Sequence, residues 1–517
     1  VTISLAIPSS PLAKLKPLDE LGTVTGQLRS KGETVVLAHG TFDLLHIGHL
    51  RHLRQAKRHG SILVVTITAD AYVNKGPGRP VFSESMRAEM LAALEFVDFV
   101  GIVHDATALP AIHAVKPSVY VKGQDYQDAK DDITGGIITE RHAVESHGGA
   151  VAFTDDITFS SSSLINRHLA VFDPTLDEFL EARRNRKSLD HFAALLDRIK
   201  DYRILMVGDA IIDDYNYVSA MGKSPKEHMI ATLFGDREIF AGGVFAAANH
   251  IADFCKEVEI VTTIGEGCEY EDLIRRSLKP NVKLHAYRRP NVPTTRKTRF
   301  IDKSYLRKLF EVYYMDDTPI SGSVEAGIDK MLAERAGEFD AVIVTDFGHG
   351  LLTASMIAAL RQHSRFLAVN AQSNSANMGY NLITKYASAD YICIDAPEAR
   401  LAVSDRYSDI EAIASEILPS RIDCPRVVVT HGKNGCVGYE RGKGVVHAPA
   451  FTKTVVDTVG AGDAFFAVTA PLAAAGGDMD QLTFIGNAAG AIKVGIVGHR
   501  RSVEKVPLLK FLTTLLK

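Results

Sequence analysis

The stretch Thr34-Val-Val-Leu-Ala-His-Gly-Thr-Phe-Asp-Leu-Leu-His-Ile-Gly-His49 decides how the first part of the chain folds. A short apolar run passes straight into glycine, hydroxyl and acidic residues. Buried parallel strands have this pattern, with loop chemistry at their C-terminal ends. Arg203-Ile-Leu-Met-Val-Gly-Asp209 repeats it far downstream, so a second, independent sheet is expected. Outward from the first opening, strand patterns at 61–68, 97–103 and 118–122 alternate with a helical pattern at 84–96, N-capped by Ser83. Further strand patterns lie at 260–264, 341–345, 366–369, 391–394 and 426–430. Strand–helix alternation implies α/β architecture with two doubly wound domains. The expected layout is 1–170, a polar helical linker at 171–200, solvated and without chemistry, and 201–517.

The length of 517 residues fits that division. A composition 46% hydrophobic and 23% charged is globular. Lys plus Arg (58) nearly balance Asp plus Glu (62), which argues against a dedicated nucleic-acid binder. The five cysteines form no CxxC pair. That excludes a disulfide framework and points to a reducing cytoplasm. No apolar stretch reaches the length of a membrane span, and no signal-peptide pattern opens the sequence.

His46 and His49 are three residues apart, so at a helix start they share a face. Gly48 between them lets a nucleotide approach closely. Two imidazoles beside helix-terminal amides can bind phosphate oxygens and stabilise charge on an α-phosphate under attack. The order of strand, Gly40-Thr41-Phe42-Asp43, HIGH and helix (expected over 50–59) makes this more than a histidine pair.

This segment, about 33–168, resembles the cytidylyltransferase-like branch of the HxGH nucleotidyltransferases. The resemblance implies a Rossmann-like fold and a nucleotide site holding Gly40, Thr41, Phe42 and Gly48, with Asp43 on the substrate side. Lys75-Gly-Pro-Gly-Arg-Pro80 resembles a loop of sugar-phosphate adenylyltransferases, with Lys75 and Arg79 gripping phosphates. Val121-Lys122-Gly-Gln-Asp-Tyr126 is similar to the family's lysine-glycine strand end. Phe159-Ser-Ser161-Ser162-Ser-Leu-Ile165 is similar to its late serine loop near the phosphates. The implied reaction is attack by a sugar or polyol phosphate on a nucleoside triphosphate, screened by Mg2+, with pyrophosphate leaving.

The second motif is Asp457-Thr-Val-Gly-Ala-Gly-Asp463, followed by an apolar helical run at 464–475. The amides of Gly460, Ala461 and Gly462 at a helix N-terminus form an anion hole. Asp463 beside it can accept a proton from an attacking hydroxyl. No GKS/T follows the glycines, so this is not a Walker A loop.

Residues 201–517 resemble the ribokinase, or phosphofructokinase-B, family of sugar kinases. The resemblance implies sugar binding by Asp209 or Asp213 and by the diglycine Gly242-Gly243. It implies nucleotide contacts at Gly432, Gly435 and Asn487, and an indirect Mg2+ site at Asp395 and Glu398. Several positions depart from the family pattern. Ala246 stands where related heptose kinases have asparagine, and Asn249 falls a turn later. Asp395 replaces the magnesium motif's asparagine, His349 a common lysine, and Asn370-Ala-Gln372 the usual aspartate-x-lysine.

The two segments together resemble the bifunctional heptose 7-phosphate kinase/heptose 1-phosphate adenylyltransferase family with domain order swapped. That implies ATP as substrate, Mg2+, small-molecule sugar phosphates, no nucleic-acid partner and a homodimer. CTP in place of ATP, with another sugar or polyol phosphate, stays open. So does a kinase-like half that serves only for binding or dimerisation. An aminoacyl-tRNA synthetase, where HIGH also occurs, is disfavoured by the short first domain and the absence of a basic tail.

Overall fold

A computed structural model describes residues 10–73, 79–124, 136–154, 172–184, 189–267, 269–452 and 454–517. The chain forms two compact units: Val1–Leu180 with Leu509–Lys517, and Glu181–Leu508.

In the first unit, β1 (Val35–Gly40), β2 (Ile62–Thr68), β3 (Phe99–Val103), β4 (Val119–Gly123) and β5 (Ala150–Thr154) build one sheet in the order β3-β2-β1-β4-β5. Every pairing is parallel. Side chains alternate across β1: Val35 and Leu37 join one core cluster, Val36 and Ala38 the other. Apolar burial on both faces explains why these strands read as continuous hydrophobic runs. Strand order reverses at β1, so its C-terminal end opens on the crevice where α/β sheets bind ligands. The HIGH stretch follows there.

In the second unit the strands are β6 (Arg203–Gly208), β7 (Ala210–Lys223), β8 (Ile230–Gly243), β9 (Glu257–Gly265), β10 (Val282–Arg289), β11 (Arg296–Asp302), β12 (Arg307–Tyr314), β13 (Ala341–Asp346), β14 (Leu367–Ala371), β15 (Tyr391–Asp395), β16 (Arg426–Thr430), β17 (Cys436–Glu440) and β18 (Gly444–Ala448). Nine of them form the main sheet, ordered β10-β9-β6-β13-β14-β15-β16-β17-β18. Its pairings are parallel up to β16 and antiparallel beyond it. A separate four-stranded sheet runs β12-β11-β7-β8, and sequence patterning did not anticipate it.

Two expected boundaries differ. Residues 509–517 group with the first unit, where Lys510 Nζ donates to the Ala106 carbonyl at 3.4 Å. Part of the expected solvated linker is also a packed helix, Leu189–Arg198. Phe192, Leu195 and Leu196 on it are buried. The Phe192 ring stacks on Phe484 with centroids 4.7 Å apart. The charged run upstream hid this apolar stripe.

Candidate active sites

In the first unit the helix after β1 is Ile47–Lys57, three residues earlier than expected. His46 is its N-cap, and its Nδ1 accepts from the Gly48 amide at 3.1 Å. An Nδ1 that accepts leaves the neutral ring's proton on Nε2, the donor a phosphate needs. Burial lowers the His46 pKa, which favours that neutral form. The His46 and His49 rings stack, with centroids 4.0 Å apart. Phe42 meets His49 edge-on at 5.1 Å. A Cβ on Gly40 would lie 3.1 Å from the Phe42 ring. HIGH and the glycine before it thus form one packed group at the end of β1.

Other expected ligand residues turn inward. Asp43 and Arg79 are both buried and bonded to each other at 2.9 Å, and Asp43 also accepts from the Val81 amide. These contacts tie residues 79–81 to the loop after β1. Lys122 pairs with Glu140 at 2.8 Å and lies over the Tyr120 ring, so it too is engaged within the fold. Lys75, Ser161 and Ser162 lie outside the described residues.

Sequence reasoning missed two groups here. His39, on β1, is held near Thr66 Oγ1 (3.0 Å) and Thr68 Oγ1 (3.3 Å). Burial and the nearby lysines push its pKa down to about 3. Arg87 is fully buried and donates to the carbonyls of Thr41, Phe82 and Thr68 and to Asp70. It braces the loop that carries Thr41. Neither lies in a motif, and only the fold brings their partners together.

In the second unit, helix Ala461–Ala474 starts at Gly460, which takes φ 75° as N-cap. The Ala461 amide already bonds the Thr458 carbonyl at 3.3 Å, so of the three amides expected in the anion hole this one closes the turn. Asp463 sits in the first helical turn and accepts from Gln372 Nε2. Burial raises its pKa, which makes it a better proton acceptor for a hydroxyl. Gln372, one of the departures from the family pattern, is thus a partner of the candidate base.

The two candidate sugar aspartates separate. Asp209 is buried and accepts from the amides of Phe347, His349 and Leu351. Burial and nearby Asp346 push it up to about 6. It organises the loop after β13 and does not face the diglycine. Asp213 does. A Cβ on Gly242 would lie 1.9 Å from Asp213 Oδ2, and one on Gly243 would lie 2.6 Å from the Asp209 carbonyl. Gly243 also has φ 55°, so no side chain fits either position. Burial alone would raise the Asp213 pKa. Arg299 and His499 outweigh it and hold the carboxyl well below the usual carboxylate range.

Gly432 and Gly435 bracket the turn after β16, and Asn487 donates to Cys436 Sγ at 3.2 Å. Ala246 lines a cavity of about 290 Å³ together with Phe240, Asn249, Lys279, His499 and Arg500. Asn249 bonds the Ser277 carbonyl and the Lys279 amide, so it does not replace the missing asparagine. His349 is buried with both ring nitrogens unbonded.

Asp395 and Glu398 form a reciprocal cap, each carboxylate accepting from the other residue's amide at 2.8 and 3.0 Å. Glu398 also accepts from Ser373 N. Burial and the neighbouring Asp395 push the Glu398 pKa up to about 8. Crowded hard oxygen donors suit Mg2+, which takes one or two carboxylates plus phosphate oxygens and water. Among the described residues no group of three His, Cys, Asp or Glu side chains is placed to hold a metal. The residues therefore fit an ion shared with a bound phosphate, not a protein cage.

Comparison with known proteins gives two family matches, a cytidylyltransferase-like model over residues 37–167 and a pfkB family carbohydrate kinase model over residues 350–506. The bifunctional protein HldE of Geobacter metallireducens is 37% identical over 166 residues, 31% of this chain and 32% of that protein. HldE of Methylobacillus flagellatus is 41% identical over 159 residues, 30% of this chain and 31% of that protein. The aligned stretch thus spans about a third of the length of these curated relatives. Phosphofructokinase-2 from Escherichia coli aligns with a TM-score of 0.49 and 15% identity, over 61% of this chain and all of that one. Residues 37–167 are therefore similar to the cytidylyltransferase-like family and residues 350–506 to the pfkB family of carbohydrate kinases, in that order in one α/β chain.

Proposed function

We propose that the chain is a bifunctional enzyme of nucleotide-sugar synthesis. Its second unit phosphorylates a heptose-like sugar phosphate with ATP. Its first unit transfers a nucleotidyl group from ATP to a sugar 1-phosphate and releases pyrophosphate. The carrying observation is the pairing, in one chain, of a stacked His46–His49 helix start with an Asp463 helix start, each in its own family-matched unit.

In nucleotidyl transfer the sugar phosphate is itself the nucleophile, so no protein nucleophile is needed. His46 Nε2–H and His49 stabilise the charge that gathers on the α-phosphate and the leaving pyrophosphate. In phosphoryl transfer Asp463 takes the proton of the attacking hydroxyl as that oxygen bonds to the γ-phosphorus, the bond from that phosphorus to the β–γ bridging oxygen breaks, and ADP leaves. Asp213 orients the sugar against Gly242 and Gly243. Asp395 and Glu398 would hold Mg2+ through phosphate oxygens, and the ion supplies charge neutralisation. ATP is the proposed nucleotide at both sites.

A second reading keeps both reactions but changes the sugar, and uses CTP in the first unit. Ala246 and Gln372 favour it, because both substitutions fall on the acceptor side of the second site. Four described cysteines are buried and free, which supports a cytoplasmic setting. A homodimer is proposed from the exposed apolar residues of the four-stranded sheet, Met221, Ile230, Leu233, Phe234 and Phe310 among them.

The test is a crossed screen of heptose 7-phosphate and heptose 1-phosphate, with other sugar and polyol phosphates, against ATP and CTP, read by mass. His49→Ala should lower nucleotidyl transfer roughly 100- to 1,000-fold and leave phosphorylation intact. Asp463→Asn should lower phosphorylation roughly 100- to 10,000-fold and leave nucleotidyl transfer intact. Loss of both reactions in either folded variant would overturn the two-site reading.

A further inference from the structure

His499 belongs to none of the motifs, yet its ring lies where the parts of the second site meet. Its Nε2 is 3.1 Å from Asp213 Oδ2, while Arg299 occupies the other oxygen of that carboxylate. A Cβ on Gly242 would lie 3.3 Å from His499 Nε2. On the far side the ring packs against Gly460, where a Cβ would lie 3.0 Å from Cε1 and 3.7 Å from Nδ1. One imidazole therefore touches the acceptor aspartate, the diglycine and the first residue of the phosphate loop. The side chain is only 8% exposed, and Nδ1 is buried without a hydrogen-bond partner.

The chemistry of the two nitrogens limits what the ring can do. Asp213 is ionised and only accepts, so Nε2 carries a proton. In the neutral ring Nδ1 is then a bare lone pair beside the anion loop, where it would repel a phosphoryl oxygen. In the imidazolium it is a second donor aimed at the same place. The surroundings are divided. Asp213 and Asp463 face the ring with negative charge. Arg299 sits across the same carboxylate, and His250 on helix Val244–Ala252 is within electrostatic reach. Lys493, whose Cε lies 3.4 Å from the same Gly460 position, donates to the carbonyls of Val459 and Gly498. The Phe240 ring closes one edge, and Arg500 turns away to Glu238. An arriving triphosphate adds negative charge to this balance.

We propose that His499 is a phosphoryl-binding residue of the second site: Nδ1–H donates to the transferring phosphoryl group while Nε2–H holds Asp213. No covalent bond forms or breaks at the ring. This rests on the kinase reading of the second unit but not on heptose as its sugar.

The test uses the full chain with 15N-labelled histidine, the His499 signals being those lost in His499→Gln. Adding Mg2+ and the β,γ-methylene analogue of ATP should move the His499 Nδ1 signal, as Nδ1–H gains an acceptor, by more than the Nε2 signal. With the acceptor that the mass screen identifies, His499→Gln keeps a donor for Asp213 but has none at the Nδ1 position. Its kcat should fall roughly 10- to 100-fold, more than its sugar KM rises. His499→Asn, with a donor near Nδ1, should recover part of kcat and raise the sugar KM instead. Nucleotidyl transfer by the first unit should be untouched, and the denaturation midpoint of the second unit, compared with that of the parent chain, reports its folding. If the analogue binds and the Nδ1 signal does not move, or if His499→Gln keeps wild-type kcat, the ring only supports Asp213 and the proposal fails. If the analogue does not bind, the kinase reading falls and takes the proposal with it.

Discussion

Glu398 shows what one carboxyl reports about a site. Its pKa is pushed up to about 8 by burial and Asp395, against about 4.3 in an unfolded chain. Between those values the folded state holds a proton that the unfolded state has lost, so stability falls as pH rises through the interval. Glu398→Gln should flatten that fall, seen as a smaller loss of denaturation midpoint for the second unit between pH 5.5 and pH 8.5 in metal-free buffer. Mg2+ competes with the same proton, so its apparent affinity should rise toward pH 8 in the parent chain and lose that trend in the variant. At this scale the placing of His46, His49 and Asp463 at helix starts was legible in short-range spacing. Asp43, Arg79, Lys122 and Asp209, proposed as ligand-binding, also make contacts within the fold that local spacing did not show. Their partners are Arg79, Asp43, Glu140 and the amides of residues 347–351. Most of these lie distant in sequence, so no local pattern announces that the charge is already spent.

Helices and strands were legible to the degree that one residue period dominated. The buried parallel strands β1, β2, β6, β13 and β16 are apolar on both faces and were found nearly to the residue. β7, by contrast, reads Ala-Ile-Ile-Asp-Asp-Tyr-Asn-Tyr-Val-Ser-Ala-Met-Gly-Lys over 210–223. Its first half is buried and its second half exposed, so neither alternation nor a continuous run emerges. The sheet β12-β11-β7-β8 was missed for that reason, and with it Arg299, which β11 delivers to Asp213. Helix Leu189–Arg198 makes the opposite case, since its apolar stripe is visible only once the helix is isolated from its charged approach. Phe192→Ala should destabilise the second unit by about 3–5 kcal/mol, measured by chemical denaturation, because a fully buried ring stacked on Phe484 is removed.

For the molecule as a whole, the distal half of the β7–β8 hairpin carries Met221, Ile230, Leu233 and Phe234, each more than half exposed. Val218 pairs with Phe234 and Ser219 with Leu233, so apolar residues occupy both faces of this ribbon. Surface of that kind is normally covered, and a second copy of the chain is the proposed cover. Phe234→Asp with Ile230→Asp should shift a dimer to monomer in light scattering after size exclusion, with the nucleotidyl transfer rate unchanged.

Local order was enough to place the α/β class and the order of the two units, because apolar runs and glycine-rich turns act within a few residues. It could not assign the nine C-terminal residues to the first unit, the four-stranded sheet to the second, or His499 to Asp213 across 286 positions. Those outcomes depend on which distant charges and faces meet, and burial in the folded chain settles that.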